Sequence, residues 1–255
     1  MKTSNPKNRY SLSIGKFDKV LEVGGGHNPH PRSNVVVDKF ITSNYHRQSD
    51  LIVYRHQQFI NADGENLPFA NDQFDYVICN QVLEHVEDPV SFLNEQSRVA
   101  KRGYIETPSL IGEYLFPKKS HKWLILELDN KLIMVDKEKY WFSTEIDFGF
   151  LFLTWLQKTS LAYKLLTSTR PDIMTTRHEW EGEIDYIINP GKEEYLKYFK
   201  GYWDEKMVKQ FFPETSLRQE IKAVMLAFIS LIRGKLRTQR TSASAAGIPR
   251  FAPNP

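Results

Sequence analysis

Acidic side chains follow short apolar segments of this chain, at the points where buried strands are expected to end. Asp38 closes the run VVVD, and Asp63 follows the run QFINA. In dinucleotide folds, carboxylates at such positions accept hydrogen bonds from ribose hydroxyls, and an exocyclic amine is a second suitable donor. Each position alone is weak evidence, because an aspartate after a strand is usually a cap. Together the two carboxylates indicate a nucleoside site.

A glycine run follows the apolar segment that comes before VVVD in the sequence. Gly24, Gly25 and Gly26 directly follow the run VLEV. Glycine has no Cβ, so the backbone can approach a ligand closely at this point. The next segment, HNPHPRSN, contains two prolines and is too short for a crossover helix. A pyrophosphate binds at the N-terminus of such a helix, so a nucleoside without pyrophosphate fits better, and a nicotinamide-dependent oxidoreductase is disfavoured.

Apolar runs that alternate with polar segments position these residues. The runs span residues 19–23, 34–38, 74–79 and 103–107, with a possible fifth at 58–62. This alternation is typical of a parallel sheet covered on both faces. The spacing of apolar residues in DPVSFLNEQSRVA predicts a crossover helix over 88–100, with Asp88 as its cap and Pro89 in its first turn.

The pattern changes after Pro108. Two β-rich runs flank Asp129-Asn130, a pair that suits a hairpin turn. The apolar segment 146–166 predicts a buried helix, and alternation around Glu181-Gly182 predicts a second antiparallel pair. Helical patterns follow at 193–212 and 217–236. We therefore divide the chain into a core domain (1–109), an acceptor-binding or lid region with hairpins and helices that complete the fold (110–237), and a disordered tail (238–255).

Composition excludes several classes of protein. In 255 residues, Lys+Arg number 34 against Asp+Glu 31, which gives a formal charge of +3. This balance does not favour a nucleic-acid partner. Cys79 is the single cysteine, so one chain can form neither a disulfide nor a thiolate metal site, and we expect Cys79 to be a core residue. The sequence contains no apolar run of the length of a spanning helix, so we expect a soluble, cytoplasmic protein.

These motifs carry a family resemblance over about residues 18–109. The sequence VLEVGGG, VVVD, DGENLPF, FDYV and LEHVEDP, in that order, resembles the S-adenosylmethionine-dependent methyltransferases of Rossmann-like (class I) fold, in particular those with DxExLPF and LEHxxDP motifs. The segments GGGHNPHP, GYIETPS, HKW and HEWEGEI also resemble a subgroup that accompanies bacterial glycan biosynthesis. The implied fold is α/β, a doubly wound, mainly parallel sheet with added β-hairpins and C-terminal helices.

The resemblance implies roles for individual residues. Glu22, Gly24, Gly25 and Gly26 form the loop around the methionine part of S-adenosylmethionine. Asp38 takes the ribose hydroxyls, while Asp63 and the Gly64 backbone face the adenine. The segment from Asn80 through Gln81 to Leu83 borders the sulfonium. The sequence departs from the family at Asn28, which replaces the third loop glycine and can still adopt left-handed geometry, and in the missing first crossover helix.

Methyl transfer needs positioning more than a dedicated base. Glu106, just past the run GYI, is a candidate base or, equally, a loop-ordering carboxylate. His121 is a second candidate, acting from a lid, although we favour a surface histidine. For His85 we favour a role in ordering its turn. His27 and His30 lack a carboxylate or cysteine partner, so we expect no metal site.

The C-terminal half suggests how an acceptor is bound. The chain's tryptophans are concentrated after residue 120, where they could line an acceptor pocket or pack in the core. The apolar run 223–232 with its basic flank predicts either a helix docked on the protein's own core, which we favour, or weak membrane contact through residues 217–240 at the inner face of the membrane. We predict O-methylation of a small-molecule, glycan or lipid-linked acceptor. The alternative is a non-catalytic S-adenosylmethionine-binding scaffold or sensor. The sequence does not predict the oligomeric state.

Overall fold

A computed structural model describes residues 1–44, 49–140, 142 and 145–244; side chains are described up to Ile232. In these described ranges, ten strands form two sheets. Their bounds are β1 (Lys2–Ser4), β2 (Val20–Val23), β3 (Val35–Asp38), β4 (Gln58–Asn61), β5 (Tyr76–Asn80), β6 (Arg102–Pro108), β7 (Trp123–Leu128), β8 (Lys131–Asp136), β9 (Thr175–Glu181) and β10 (Tyr186–Ile188).

The larger sheet has seven strands in the order β1-β9-β6-β5-β2-β3-β4. The five strands β6, β5, β2, β3 and β4 run parallel, and β9 pairs antiparallel with both β6 and β1. All five strands predicted from the apolar runs are present, which confirms the mainly parallel α/β fold. The chain leaves β2 in one direction for β3 and β4, then returns to the other side of β2 for β5. Ligands of open α/β sheets bind at such a reversal.

Apolar side chains bury the two faces of this sheet differently. One face packs on α1 (Pro89–Val99) and on the smaller sheet, in a cluster that includes Phe92, Trp123 and Met134. The opposite face carries Tyr76, Ile78 and Tyr104 and is covered by Leu12 and Ile14 of the N-terminal segment. A doubly wound sheet usually has helices on both faces. Here an extended segment replaces them on the second face, because the described parts of the β2–β3 and β3–β4 connections contain no helix.

Local sequence signals fix α1 and the hairpin. The Asp88 side chain accepts hydrogen bonds from the backbone N–H groups of Val90 and Ser91, and Pro89 lies in the first turn, as predicted. Asp129 and Asn130 have φ of 50° and 63°, and they join β7 to β8 in an antiparallel pair. This confirms the predicted hairpin turn, whose primed geometry needs positive φ at both central residues.

The first prediction to be corrected in the C-terminal half is the second antiparallel pair. The strands on either side of Glu181-Gly182 do not pair with each other, because β9 joins the large sheet beside β6 whereas β10 pairs parallel with β8. A period-two pattern gives the strands but not their partners. As a result, residues 175–181 of the predicted lid region belong to the core sheet, and the small sheet has the order β10-β8-β7.

The segment 146–166 is helical but not buried, which corrects the second prediction. It forms a π-helical turn (Phe150–Trp155), α3 (Leu156–Thr159) and the start of α4 (Leu161–Thr169), and Ile146, Phe150 and Trp155 are all more than half exposed. The remaining helices are α2 (Leu110–Leu115), α5 (Glu193–Leu196), α6 (Glu205–Phe211) and α7 (Leu217–Ser244). Short 3₁₀ turns occur at Leu83–His85 and Pro171–Ile173.

The helix α7 also differs from expectation. It contacts α4, and Ala227 is buried, yet Met225 and Phe228 are exposed. The favoured prediction of a helix docked on the core was therefore wrong. The helix continues to Ser244, into the part that we predicted to be disordered; residues 245–255 of that tail lie outside the described residues. In the described chain, no helix has the length and apolar character needed to span a membrane.

Gly103 lies where β6 passes the large side chain of Trp180. A Cβ built at Gly103 would lie 2.6 Å from the Val77 carbonyl oxygen and 2.8 Å from Trp180, which is fully buried. We expect Gly103→Ala to lower the free energy of unfolding by about 1–3 kcal/mol, because overpacking forces the neighbouring backbone to move. Urea titration measures this. Gly191→Ala is the matched control, since its added Cβ meets no atom within 4 Å; equal stability of the two variants would contradict the prediction.

Candidate functional site

A cavity of about 430 Å³ opens at the carboxyl ends of β2, β3, β4 and β5. It lies at the strand reversal between β2 and β5, and its volume is within the range of about 300–1,000 Å³ usual for small-molecule sites. Eight of the residues predicted to bind the cofactor line it: Gly24, Gly25, Gly26, Asp38, Asp63, Gly64, Asn80 and Gln81. Arg9, which the sequence analysis missed, also lines the cavity from the N-terminal segment.

The glycine turn forms the floor of this cavity. Gly24 and Gly26 have φ of 75° and 52°, a left-handed geometry that glycine adopts without strain. A Cβ built on Gly26 would meet no atom closer than 3.9 Å, so the space above it is open. Asn28, which we expected to take the place of a left-handed glycine, is not among the residues with positive φ.

The two aspartates lie on the same edge of the sheet. Asp38 accepts hydrogen bonds from the backbone N–H groups of Gly26 (3.2 Å) and Phe40 (2.9 Å), which ties the glycine turn to the end of β3. Asp63 accepts a hydrogen bond from the Glu65 N–H and forms an ion pair with Lys39, 2.6 Å away. Two carboxylates at neighbouring strand ends are thus available to the same cavity.

Glu22 has a different position from the one that the resemblance implied. Its side chain is buried and does not line the cavity. Instead, its carboxylate accepts hydrogen bonds from Arg9 (2.8 Å), the His30 backbone N–H (2.6 Å) and the Ser33 hydroxyl (2.8 Å). Burial raises the pKa of Glu22, and Arg9 opposes this change. Glu22 therefore holds the short connection between β2 and β3 in place and reaches the cavity only through Arg9.

The fourth strand end supplies Asn80 and Gln81. The Asn80 side-chain oxygen is buried and has no hydrogen-bond partner among the described residues. Gln81 has φ of 58°, a left-handed geometry that is uncommon for a non-glycine residue, and its N–H donates to the Glu106 carbonyl oxygen (2.7 Å). Leu83, predicted to border the sulfonium, is fully buried in the core instead.

A cluster of two histidines and a carboxylate lies at the cavity wall. Glu84 and His85 line the cavity, and His121 packs edge-on against the His85 ring, with 4.6 Å between ring centroids. Burial raises the pKa of Glu84 to about 8. His121 bonds through Nδ1 to Glu113 Oε2 at 2.6 Å. Burial lowers the pKa of His121, while the bond to Glu113 opposes this change.

Residues 37–105 match a methyltransferase domain. The matched segment runs from the end of β3 to β6 and contains the cavity residues Asp38, Asp63, Gly64, Asn80 and Gln81. The predicted methyltransferase resemblance is confirmed for this segment at the level of the domain family. The match covers less than half of the chain and leaves the glycan-biosynthesis subgroup a prediction.

Curated relatives are similar over part of the chain. The ubiquinone/menaquinone biosynthesis C-methyltransferase UbiE of Coxiella burnetii is 31% identical over 104 residues, which is 39% of this chain and 42% of that protein. An uncharacterized protein of Methanocaldococcus jannaschii is 39% identical over 64 residues, 23% of this chain and 31% of that protein. The chain thus spans less than half the length of these relatives.

Solved structures resemble part of the fold. A SAM-dependent methyltransferase from Methanosarcina mazei is 16% identical, with a TM-score of 0.29 over 46% of this chain and 69% of that one. The YcgJ protein from Bacillus subtilis is 21% identical, with a TM-score of 0.32 over 39% and 48%. Likenesses of this size do not bear on activity.

The two predicted catalytic residues do not lie where we expected. Glu106 is not among the residues that line the cavity, and its carboxylate accepts a hydrogen bond from the Tyr104 hydroxyl. Both residues lie in β6, so this bond orders no loop, and the role of Glu106 stays a prediction. His121 is buried at 4% exposure, so the favoured interpretation as a surface histidine was wrong. His85 bonds through Nδ1 to the Ser120 carbonyl oxygen, which links its turn to the segment before β7.

Tryptophans do not form the predicted acceptor pocket at this cavity. Of those in the described part of the chain, none lines it. Trp123 and Trp180 are buried in the main core, Trp203 packs in a second apolar cluster, and Trp155 is exposed; Trp141 lies outside the described residues. Cys79 is buried in β5, as predicted.

His30, in the connection between β2 and β3, makes the stability of the fold depend on pH. The His30 ring stacks on Tyr10 and accepts a hydrogen bond from the Arg32 N–H at Nδ1 (3.1 Å), which requires an unprotonated nitrogen. Burial, with Arg9 nearby, lowers the pKa of His30 to about 4. The unfolded chain takes up this proton near pH 6.5 and the folded chain does not, so stability falls as pH falls from about 6.5 to 4.

We expect His30→Asn to remove this component of the pH dependence. Between pH 7 and pH 5 the parent should lose about 2 kcal/mol more stability than the variant, from the difference between the two pKa values. Urea unfolding at both pH values measures the difference. His56→Asn is the control, because His56 is exposed. Parallel losses in the parent and His30→Asn would show that His30 does not cause the effect.

Proposed function

We propose that this protein is an S-adenosylmethionine-dependent methyltransferase that binds its cofactor in the cavity at the carboxyl ends of β2 to β5. The observation that carries the proposal is the convergence at this cavity of the open backbone at Gly26 with Asp38, Asp63 and Asn80. These residues come from four successive strand ends around the strand reversal. The family match to a methyltransferase domain over residues 37–105 supports it.

The donor groups fit the parts of S-adenosylmethionine. The carboxylate of Asp38 is an acceptor for ribose hydroxyls, and Asp63 is an acceptor for the adenine amine. The open backbone at Gly26 admits the close approach of the methionine part. The unpartnered, buried oxygen of Asn80 gives the cavity a polar acceptor that a ligand amine would satisfy. The connection between β2 and β3 contains no helix N-terminus for a pyrophosphate, which favours a cofactor without phosphate.

When bound, S-adenosylmethionine supplies a methyl group on a positively charged sulfonium. The residues of this chain would then act mainly by position. The Glu22 network and the Asp38 hydrogen bonds hold the glycine turn rigid, so that donor and acceptor meet in one geometry. Val82, Val86 and Phe92 line the same cavity and keep part of it apolar. Glu84 and His85 also line the cavity and would hold an acceptor hydroxyl.

The acceptor that we propose carries a nucleophilic oxygen and belongs to a small molecule, a glycan or a lipid-linked precursor. Lys118 and Lys122, which line the same cavity as Glu84, support this proposal. These two cations would favour an acceptor that bears an acidic group.

Replacing either aspartate tests the cofactor proposal. We expect Asp38→Ala and Asp63→Ala each to weaken binding of S-adenosylhomocysteine by about 1–3 kcal/mol, because each removes a hydrogen bond to a charged acceptor. Isothermal titration calorimetry measures the affinity. Asp38→Asn removes the charge and leaves one oxygen to accept from either Gly26 or Phe40, so it tests the contribution of the second acceptor and of the charge. Asp185→Ala is the control, because Asp185 is exposed and remote from the cavity lining. Unchanged affinity in both alanine variants would contradict the proposal.

We also propose that α7 rests on an anionic membrane surface. Ile221, Met225, Phe228 and Ile232, which we call the α7 stripe, recur at helical spacing, and all four side chains are exposed. The exposed residues of segment 146–166 add apolar surface on a helix that α7 contacts. The sequence beyond the stripe contains Arg233, Lys235, Arg237 and Arg240. Apolar area with a basic flank binds anionic interfaces.

Flotation with vesicles tests this proposal. We expect the parent to float with phosphatidylglycerol vesicles, and Met225→Glu/Phe228→Glu to stay with the unbound protein, because two buried charges would oppose insertion. Both side chains are exposed, so the substitutions leave the fold intact. Phe17→Glu/Tyr202→Glu is the matched control, as those residues are 90% and 88% exposed outside the stripe. Equal flotation of parent and stripe variant, or none by the parent, would exclude the membrane contact.

A further inference from the structure

Glu84 is a buried carboxylate without a hydrogen-bond partner. It is 1% exposed, and neither of its oxygens has such a partner among the described residues. A buried ion in this position is costly unless another group neutralises it. The Nε2 atom of His121 is likewise buried and without a hydrogen-bond partner. Two neighbouring polar groups therefore lack hydrogen-bond partners, and one additional atom between them would interact with both.

The hydrogen bonds of the two histidines turn their Nε2 atoms toward Glu84. Nδ1 of His121 donates to Glu113, and Nδ1 of His85 donates to the Ser120 carbonyl oxygen (2.9 Å). A histidine whose Nδ1–H is held by a carboxylate or a carbonyl presents a lone pair at Nε2, which is the usual arrangement of metal-ligating histidines. Each Nε2 lies 3.9 Å from Glu84 Oε1, too far for a hydrogen bond.

The separations suit ligands around one small cation. One ligand atom from each of Glu84, His85 and His121 lies within 4.8 Å of the others. Ligands of a tetrahedral ion with bonds of about 2.0–2.1 Å lie roughly 3.4 Å apart. Glu84 and each histidine would approach by about half an ångström, and the two histidine ligand atoms, which lie within 4.8 Å of one another, would also move toward this separation. Since Glu84 and His85 line the cavity, the remaining positions would face it.

We propose that Glu84, His85 and His121 bind a divalent first-row transition metal ion at the wall of the cavity, where the proposed acceptor would lie. Two imidazole nitrogens and one carboxylate oxygen form the donor set of catalytic zinc sites and of non-haem iron sites, which keep positions open for water or substrate. Magnesium prefers oxygen ligands, so this donor set disfavours it. We expected no metal site from the sequence, because His27 and His30 were the only histidines that we considered as ligands.

Glu113 is a positioning residue for this site. The Glu113 carboxylate accepts hydrogen bonds from His121 Nδ1 and from the Lys137 ammonium group. An anionic partner fixes the orientation of the His121 ring and makes its Nε2 a stronger donor to the metal. Lys137 balances the charge of Glu113 and thereby leaves the charge of Glu84 for the ion.

The bound ion would give the site a chemical role. If the proposed methyl transfer is correct, the acceptor oxygen would occupy an open position on the ion. Binding there would lower the pKa of the acceptor hydroxyl, so that its proton leaves to water and its oxygen lone pair is available to the methyl group. This role rests on the proposed function, whereas metal binding itself does not.

Titration of the metal-stripped full-length chain with Co²⁺ and Zn²⁺ tests the site. We expect one Co²⁺ per chain with visible absorption bands of a low-coordinate site, displaced by Zn²⁺ and not by Mg²⁺. Glu84→Gln, His85→Ala and His121→Ala should each weaken Co²⁺ binding by at least about 100-fold, and Glu113→Gln by about 10- to 100-fold. His56→Ala should bind as the parent does, since His56 is exposed and not in the cluster.

The variants also control for loss of fold. Glu84→Gln keeps the shape of a buried residue, and thermal unfolding of each metal-free variant shows whether it is folded. Zinc should raise the Tm of the parent and leave that of Glu84→Gln unchanged. Equal Co²⁺ affinity in the parent and the folded ligand variants, preferential binding of Mg²⁺, or no binding by the parent would each overturn the proposal.

S-Adenosylhomocysteine binding by the metal-free parent separates this proposal from the proposed function. Binding of S-adenosylhomocysteine without binding of Co²⁺ would overturn the metal site alone. Binding of Co²⁺ without S-adenosylhomocysteine would overturn the proposed function alone, and the metal site would stand.

Discussion

The arrangement of the cavity depends on one buried carboxylate, that of Glu22. In this chain a short connection with two prolines joins β2 to β3, where a helix usually crosses over the sheet. A helix satisfies its own backbone groups, but a short loop needs outside partners. Glu22 supplies them by accepting from the His30 N–H and the Ser33 hydroxyl, and its charge is balanced by Arg9. The glycine turn has a fixed shape because the segment after it is anchored.

This anchoring also explains the role of the N-terminal segment. Arg9 reaches Glu22 from a stretch that covers the sheet face where helices are missing. The same segment begins with β1, which pairs with β9 at the far edge of the sheet. It thus connects that edge to the cavity. Covering the sheet, neutralising Glu22 and lining the cavity are thus functions of one continuous segment. A sequence pattern does not reveal this, since Arg9 and Glu22 belong to no common motif.

The sequence predicted elements with local signals and missed those set by distant partners. The parallel strands, the Asp88 cap and the Asp129-Asn130 turn depend on neighbouring residues, and the structure has all of them. The pairing of β9 with β6 depends on the room that Gly103, which has no Cβ, leaves for the Trp180 side chain. These two residues are far apart in the chain. Likewise, the apolar character of 146–166 predicted a helix correctly but not its exposure, because hydrophobicity alone does not say which surface covers it.

Glu22 and Glu84 show what the same residue type does in two environments. Both carboxylates are 1% exposed, and burial raises the pKa of each. Glu22 has an arginine, a hydroxyl and a backbone N–H as partners, and its role is structural. Glu84 faces two imidazoles at 3.9 Å and accepts no hydrogen bond from the described residues. A buried polar group without a partner at a cavity wall is where a ligand is expected, and this difference from Glu22 is the observation on which the proposed metal site depends.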